Sequence, residues 1–125
     1  MSGDDKKPNL EKVTKSLLDV AVESWRLGKV FDRLLLKLDA GEQGKYRGQF
    51  RWFQRKLEDS LTDAGMWIVN VEGHAFDPGM AATPLNIDEF GSVDTLLVDQ
   101  MLEPIIMGPD GVLRTGTVTL RKGGS

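Results

Sequence analysis

The chain has 125 residues, a formal net charge of −3, a hydrophobic fraction of 40% and no cysteine. This length suits one domain, or a helical part with a small appendage, and the absence of cysteine excludes disulfides and thiolate chemistry. The mixed charge gives no basic footprint for nucleic acid, and no apolar run approaches the roughly 20 residues that span a bilayer. We therefore expect a cytoplasmic protein that binds neither nucleic acid nor membrane.

A long helix is predicted near the start of the chain. Residues 1–8 are polar and predict a disordered tail, without the apolar segment of a signal peptide. Asn9 is a candidate N-cap for a helix that we expect to end near Asp39. Its main apolar line recurs at spacings of three and four, as helix packing requires. That line is Leu10, Val13, Leu17, Val20, Ser24, Leu27, Phe31, Leu34 and Leu38.

A second apolar line lies about 100° around the same helix. It consists of Leu18, Val22, Trp25 and Leu36. Because one neighbouring helix cannot cover both lines, we predict a bundle completed by a second copy of the chain; the alternative is an ordinary core helix in a monomer. Gly28 either permits close helix approach or is simply tolerated, and we favour tolerance. The predicted dimer interface comprises Leu17, Leu18, Val22, Trp25, Leu27, Phe31 and Phe53.

The next segment predicts a second helix. Residues 40–44 contain two glycines and are expected to form a loop. The helix then runs from about Lys45 to about Ala64, and Gly65 is placed to adopt the left-handed conformation after it. Because the connection is short, the two helices should form an antiparallel hairpin. The apolar seam of the second helix is Tyr46, Phe50, Phe53, Leu57, Leu61 and Ala64.

From residue 66 the pattern becomes that of strands, so we divide the chain into a helical dimerisation region, 9–65, and a small β domain, 66–122. Residues 66–71 predict a short strand. Pro84 is expected to begin an extended segment, and residues 88–92 a loop.

Two longer extended segments follow. Residues 95–107 are rich in apolar and β-branched side chains, and Pro104 marks an edge position or a bulge. Pro109-Asp110-Gly111 predicts a turn. In the last segment Val118 and Leu120 are expected to face the core and the alternating threonines the solvent. The predicted fold class is α+β: a helical hairpin that forms a four-helix bundle on dimerisation, then a small C-terminal β domain.

No motif for catalysis or metal binding is recognisable. His74, the only histidine, lacks the spacing of a metal site and is expected in a surface turn. Asp59 and Asp63 lie about one turn apart, as an acid–base pair could, but a solvated helix face is the favoured interpretation. We expect no enzyme activity, no cofactor and no metal.

Five cations of the second helix are interleaved with aromatic residues, a mixture that nucleic-acid-binding proteins use. The cations are Lys45, Arg47, Arg51, Arg55 and Lys56, and the aromatics are Phe50, Trp52 and Phe53. Phe50 and Phe53 belong to the apolar seam, so the favoured interpretation is a helix with core on one side and charge on the other.

Several segments occur together in an order that is similar to one known family. They are Leu17-Leu18-Asp19-Val20, the helix end at Gly65, the short strand after it, Phe76-Asp77-Pro78, and Val112-Leu113-Arg114 with Val118. Across about residues 17–121 this order and spacing resemble GrpE, the nucleotide exchange factor of DnaK-type chaperones. The resemblance implies a homodimer whose helical bundle holds β domains that open the chaperone's nucleotide-binding cleft.

The resemblance also implies a chaperone-binding surface on the β domain. Its residues would be Arg114, Phe76, Met80, Leu102 and Met107, of which Arg114 is the best motif match. For Phe76 and Met107, a place in the β-domain core is an equally good interpretation.

The chain departs from the family pattern in the β domain. Ala81-Ala82-Thr83 stands where His-Glu-Ala is usual, Glu103-Pro104-Ile105-Ile106 stands in place of QKGY, and Gly111 replaces an arginine. Only sixteen positions precede Leu17 for the family's long N-terminal helix. These departures leave a second possibility open: an adaptor or structural dimer of GrpE shape without exchange activity.

Overall fold

The computed structural model describes residues 9–123, so the predicted tail at 1–8 lies outside the described residues. Two helices, α1 (Leu10–Leu35) and α2 (Ala40–Asp63), precede six strands. The strands are β1 (Trp67–Val69), β2 (Ala82–Pro84), β3 (Leu96–Glu103), β4 (Ile105–Gly108), β5 (Gly111–Arg114) and β6 (Gly116–Lys122). The α+β class, with helices before small sheets, is as predicted.

The first helix begins as its sequence indicates but ends earlier. The Asn9 side chain accepts hydrogen bonds from the backbone N–H groups of Glu11, at 2.8 Å, and Lys12, at 3.4 Å. This N-cap satisfies donors that the first helical turn leaves without partners. The helix ends at Leu35 rather than near Asp39.

The predicted loop at residues 40–44 is wrong, because α2 already begins at Ala40. Asp39 is its N-cap, and the carboxylate accepts a hydrogen bond from the backbone N–H of Glu42 at 2.9 Å. The cap, with the negative charge of Glu42 in the first turn, offsets the cost of the early glycines in this helix. At the other end Gly65 has φ +78°, the left-handed conformation predicted for it.

The two helices pack as the antiparallel hairpin that the sequence predicts. Leu18 of α1 and Leu61 of α2 lie in one buried cluster, and the rings of Phe31 and Phe50 pack at 5.1 Å further along the hairpin. At Gly28, a Cβ atom would come within 2.9 Å of the Phe50 ring. Gly28 therefore permits close approach of α2, and our preference for mere tolerance is wrong.

The six strands form two three-stranded sheets, with orders β1-β4-β5 and β2-β6-β3. Only β2 and β6 pair in parallel. The predicted extended segment 95–107 is two strands, because the buried Pro104 separates β3 from β4 and the chain passes there from one sheet to the other. Pro84 ends β2 rather than beginning a strand, whereas the predicted turn before β5 is present, with Gly111 at φ +130°.

Two buried clusters hold the fold together. The β-domain cluster is Val71, Ala82, Val98, Met101, Ile105, Val118 and Leu120, which confirms the inward positions predicted on the last strand. The helical cluster is Leu18, Ala21, Val22, Leu61, Met66 and Ile106. Ile106 belongs to β4, so the β1-β4-β5 sheet packs against the helices. Of the threonines of the last segment, only Thr115 is fully exposed; Thr117 and Thr119 are half-buried.

Candidate interaction surfaces

Two side chains, Trp25 and Glu72, hydrogen-bond to the backbone of Met101 where β3 meets α1; we call these contacts the clamp on Met101. The Trp25 indole Nε1 donates a hydrogen bond to the Met101 carbonyl at 2.6 Å. The Glu72 carboxylate accepts one from the Met101 N–H at 2.8 Å and also pairs with Lys29. Both backbone groups of this strand residue are thus satisfied by side chains from outside its sheet, which fixes the position of β3 against α1.

Two more ion pairs join α1 to the β domain. Arg114 of β5 donates to the Asp19 carboxylate at 2.8 Å. Arg26 donates to Glu103 at 3.2 Å, and Glu103 also accepts from the Thr117 hydroxyl at 2.7 Å. Each pair is partly exposed and stabilises only modestly. Because they connect different strands to one helix, they restrict rotation of the β domain as a whole.

Two carboxylates have shifted acidities. Hydrogen bonds from Lys15 and from Arg114 lower the pKa of Asp19 below its ordinary value of 3.8. The backbone N–H of Glu42 likewise lowers the pKa of the capping Asp39. In both cases hydrogen bonds formed in the folded chain favour the charged carboxylate.

The five residues that the resemblance implies for chaperone binding do not form one exposed surface. Phe76, Met80 and Met107 are half-buried and pack against the β-domain cluster. Leu102 is half-buried on β3. Arg114 is directed towards α1 by its ion pair. Phe76 and Met80 therefore belong largely to the core and Arg114 to the junction, whereas Met107 adjoins exposed apolar residues.

Those residues form an apolar row across the β1-β4-β5 sheet. Met107 is paired directly with Trp67 on one side and with Val112 on the other. Directly opposed residues project from the same face of a sheet, and Trp67 and Val112 are 46% and 47% exposed. We call Trp67, Met107 and Val112 the apolar row. Trp67 and Val112 were not predicted as surface contacts from the sequence, because their alignment with Met107 depends on strand register.

The main apolar line of α1 remains largely uncovered. Its members at seven-residue spacing are 48% to 65% exposed: Val13, Val20, Leu27 and Leu34. We call these four residues the exposed stripe. Beside it, α1 and α2 enclose an open groove of about 230 Å³ lined by Leu27, Gly28, Phe31, Gln49, Phe50 and Phe53.

The residues predicted for the dimer interface divide into two groups. Leu18 and Val22 are buried in the helical cluster, and Trp25 packs against the β domain, so one chain already covers these three. Leu17 is half-buried and packs against the same helical cluster. The remaining residues line the groove beside the stripe: Leu27, Phe31 and Phe53.

The side chains considered for chemistry do not converge. His74, Asp59 and Asp63 are all exposed. Within residues 9–123 no group of three or more potential metal ligands is close enough to bind an ion. In the same range no helix combines the length and hydropathy needed to cross a membrane.

Comparison with known proteins found no matching family model, curated protein or solved structure.

Proposed function

We propose that this chain is a GrpE-like co-chaperone that promotes nucleotide release from a DnaK-type chaperone in the cytoplasm. The proposal includes a homodimer and involves no enzymatic step and no cofactor. The observation that carries it is the element order: a helical hairpin, a short strand, the Phe-Asp-Pro turn and a two-sheet β domain fixed against the first helix. This order of elements supports the proposal, because the sequence resemblance rests on the same order.

Exchange requires a β domain that keeps its orientation while it contacts the chaperone. A binding protein opens a cleft only by as much as its affinity for the open state exceeds that for the closed state. A freely rotating domain would fit both states. The contacts of Trp25 and Glu72 with Met101 oppose that rotation, so they support a wedge that favours the open, nucleotide-releasing state.

The apolar row is the contact surface that we assign to the chaperone. It contains Met107, one of the residues implied by the resemblance, with exposed Trp67 and Val112 on either side. Tryptophan and methionine are enriched at the centres of protein interfaces. Arg114 then acts as a brace between β5 and α1 rather than as a contact.

We assign the contact with a second copy of the chain to the exposed stripe. Four apolar side chains at seven-residue spacing follow the period of a coiled-coil seam. The apolar groove beside them continues the same surface onto α2. Two hairpins that pack through these surfaces would form the four-helix bundle.

The test is stopped-flow release of a fluorescent nucleotide from the DnaK-type chaperone of the same source, with and without this protein. We expect accelerated release, and we expect Trp67→Ala to reduce the acceleration by about tenfold, as loss of an interface tryptophan does. Val93→Ala, which truncates an exposed apolar side chain of the loop before β3, is the matched control. Unchanged release in the presence of the wild-type protein would contradict the proposal.

An adaptor without exchange activity is the second candidate, favoured by one observation. Four of the positions that depart from the family pattern are buried, namely Ala82, Pro104, Ile105 and Ile106. Glu103 is held by Arg26 and Thr117, whereas Thr83 is exposed. These positions offer few polar groups to a partner. Binding of the chaperone without acceleration of nucleotide release would establish this alternative.

A further inference from the structure

The outer surface of α2 concentrates positive charge in a chain that is negative overall. Between residues 43 and 57 the helix contains no acidic residue. Its cations are Lys45, Arg47, Arg51, Arg55 and Lys56. Among the described residues, none of these five lies within 4 Å of a carboxylate, whereas the cations that join α1 to the β domain are paired. Arg47 is half-buried and lines a cavity with Asp32 and Asp99, so it lies off the outer surface. We call the four exposed cations, with Trp52, the basic face.

Trp52 gives this surface its second property. The indole lies on the solvent side of α2, 60% exposed, and not on the seam with Phe50 and Leu57. The Lys56 ammonium lies 5.6 Å from the ring centroid, within cation–π distance. An exposed tryptophan among cations without ion-pair partners can stack on a flat π system.

Two arginines of the basic face lie about one helical turn apart. Arg51 and Arg55 are separated by four residues, which corresponds to about 6 Å along the axis. Arginine binds phosphate through two parallel hydrogen bonds, so this pair can bind successive phosphates of a strand. We propose, against the expectation from the overall charge, that the basic face binds single-stranded nucleic acid, with phosphates on its cations and a base stacked on Trp52.

Two other polyanions fit this surface less well. A membrane-surface helix buries an apolar face in the headgroup region, but the apolar side chains of α2 pack against α1, with Leu61 fully buried. An acidic peptide would satisfy the cations and leave Trp52 without a partner. A nucleic acid strand supplies both the negative charge and the aromatic face.

The test is fluorescence anisotropy of the full chain with labelled oligothymidine and oligouridine of about 16 nucleotides. Four phosphate contacts predict a slope of about −2.8 for log affinity against log salt, or about a fiftyfold loss between 50 and 200 mM. The Arg51→Gln/Arg55→Gln double variant should make the slope shallower by about 1.4. Trp52→Ala should weaken binding by about tenfold without changing the slope.

The matched control is the double variant Lys12→Gln/Lys37→Gln, which removes two exposed cations elsewhere and should change neither quantity. Tighter binding of one of them shows which of the two strands, oligothymidine DNA or oligouridine RNA, is preferred. The proposal is overturned if neither oligonucleotide binds, if the control weakens binding as much as the arginine variant, or if polyglutamate or phosphatidylserine vesicles bind equally well. Nucleic-acid binding by the basic face is independent of nucleotide exchange on the chaperone, so the arginine variant should leave nucleotide release from the chaperone unchanged.

Discussion

Two apolar lines of the same helix have opposite environments. The line that contains Leu18, Val22 and Trp25 is covered by α2 and the β domain, and Leu18 is only 6% exposed. The exposed stripe, on the adjacent side of α1, consists of side chains of the same kinds and is about half exposed. Periodicity identified both lines, but only tertiary packing determines which of them is satisfied within one chain.

Substitutions in the two lines should have different consequences: loss of stability for the covered line and loss of assembly for the exposed stripe. A truncation in the covered line removes contacts within one chain and should lower the free energy of unfolding. A polar substitution in the exposed stripe should leave the folded hairpin intact and affect contacts between copies.

Leu18→Ala should have the largest effect on stability. Removal of a buried leucine side chain costs the transfer free energy and leaves a cavity, so we expect a loss of about 2–5 kcal/mol in urea denaturation at constant protein concentration. Leu36→Ala is the matched control, because Leu36 belongs to the same line by sequence but is exposed beyond the end of α1. A change larger than about 1 kcal/mol for Leu36→Ala would contradict the assignment of burial.

Trp25→Phe, also in the covered line, should lower the free energy of unfolding by less. Phenylalanine retains an aromatic ring but cannot donate to the Met101 carbonyl. Loss of this hydrogen bond should lower the free energy of unfolding by about 1–2 kcal/mol. Trp52→Phe, at an exposed site, should change it by less than about 0.5 kcal/mol. Equal effects in the two variants would show that the clamp on Met101 contributes nothing.

Asp19→Asn should have the smallest effect, and it should depend on pH. The folded chain lowers the pKa of Asp19 below 3.8, so the charged carboxylate contributes stability above that value. This contribution is lost as the pH falls from about 3.8 through the lower pKa of the folded state. The variant should therefore show a shallower loss of stability on acidification, measured by thermal unfolding. Asp63→Asn removes an exposed carboxylate as the matched control, and an equal change in that variant would contradict the role assigned to Asp19.

Local chemistry made much of the fold predictable. The N-cap at Asn9, the left-handed Gly65 and the turn at Gly111 follow from residue type alone. The start of α2 was missed because the capping carboxylate of Asp39 outweighs the glycines that suggested a loop. The parallel pairing of β2 with β6 was not predictable, since no local signal specifies a partner distant in sequence.

The interaction surfaces were less predictable than the fold. The sequence predicted α1 as an interface helix. It placed Leu18, Val22 and Trp25 at the contact with a second copy although one chain already covers them, because both apolar lines have similar composition. The apolar row needs the register of three strands, and the clamp on Met101 joins residues that lie far apart in the chain. Neither leaves a periodic pattern in the sequence.

The proposed four-helix bundle depends on contact with a second copy at the exposed stripe. Sedimentation equilibrium of the wild-type chain and of Leu27→Asp tests this most directly, with Val93→Asp as a control at an exposed apolar residue outside α1. We predict twice the 13.9 kDa chain mass for the wild type and the control, and the single-chain mass for Leu27→Asp with unchanged helical circular dichroism. A monomeric wild type, or a Leu27→Asp variant that remains dimeric, would contradict the account.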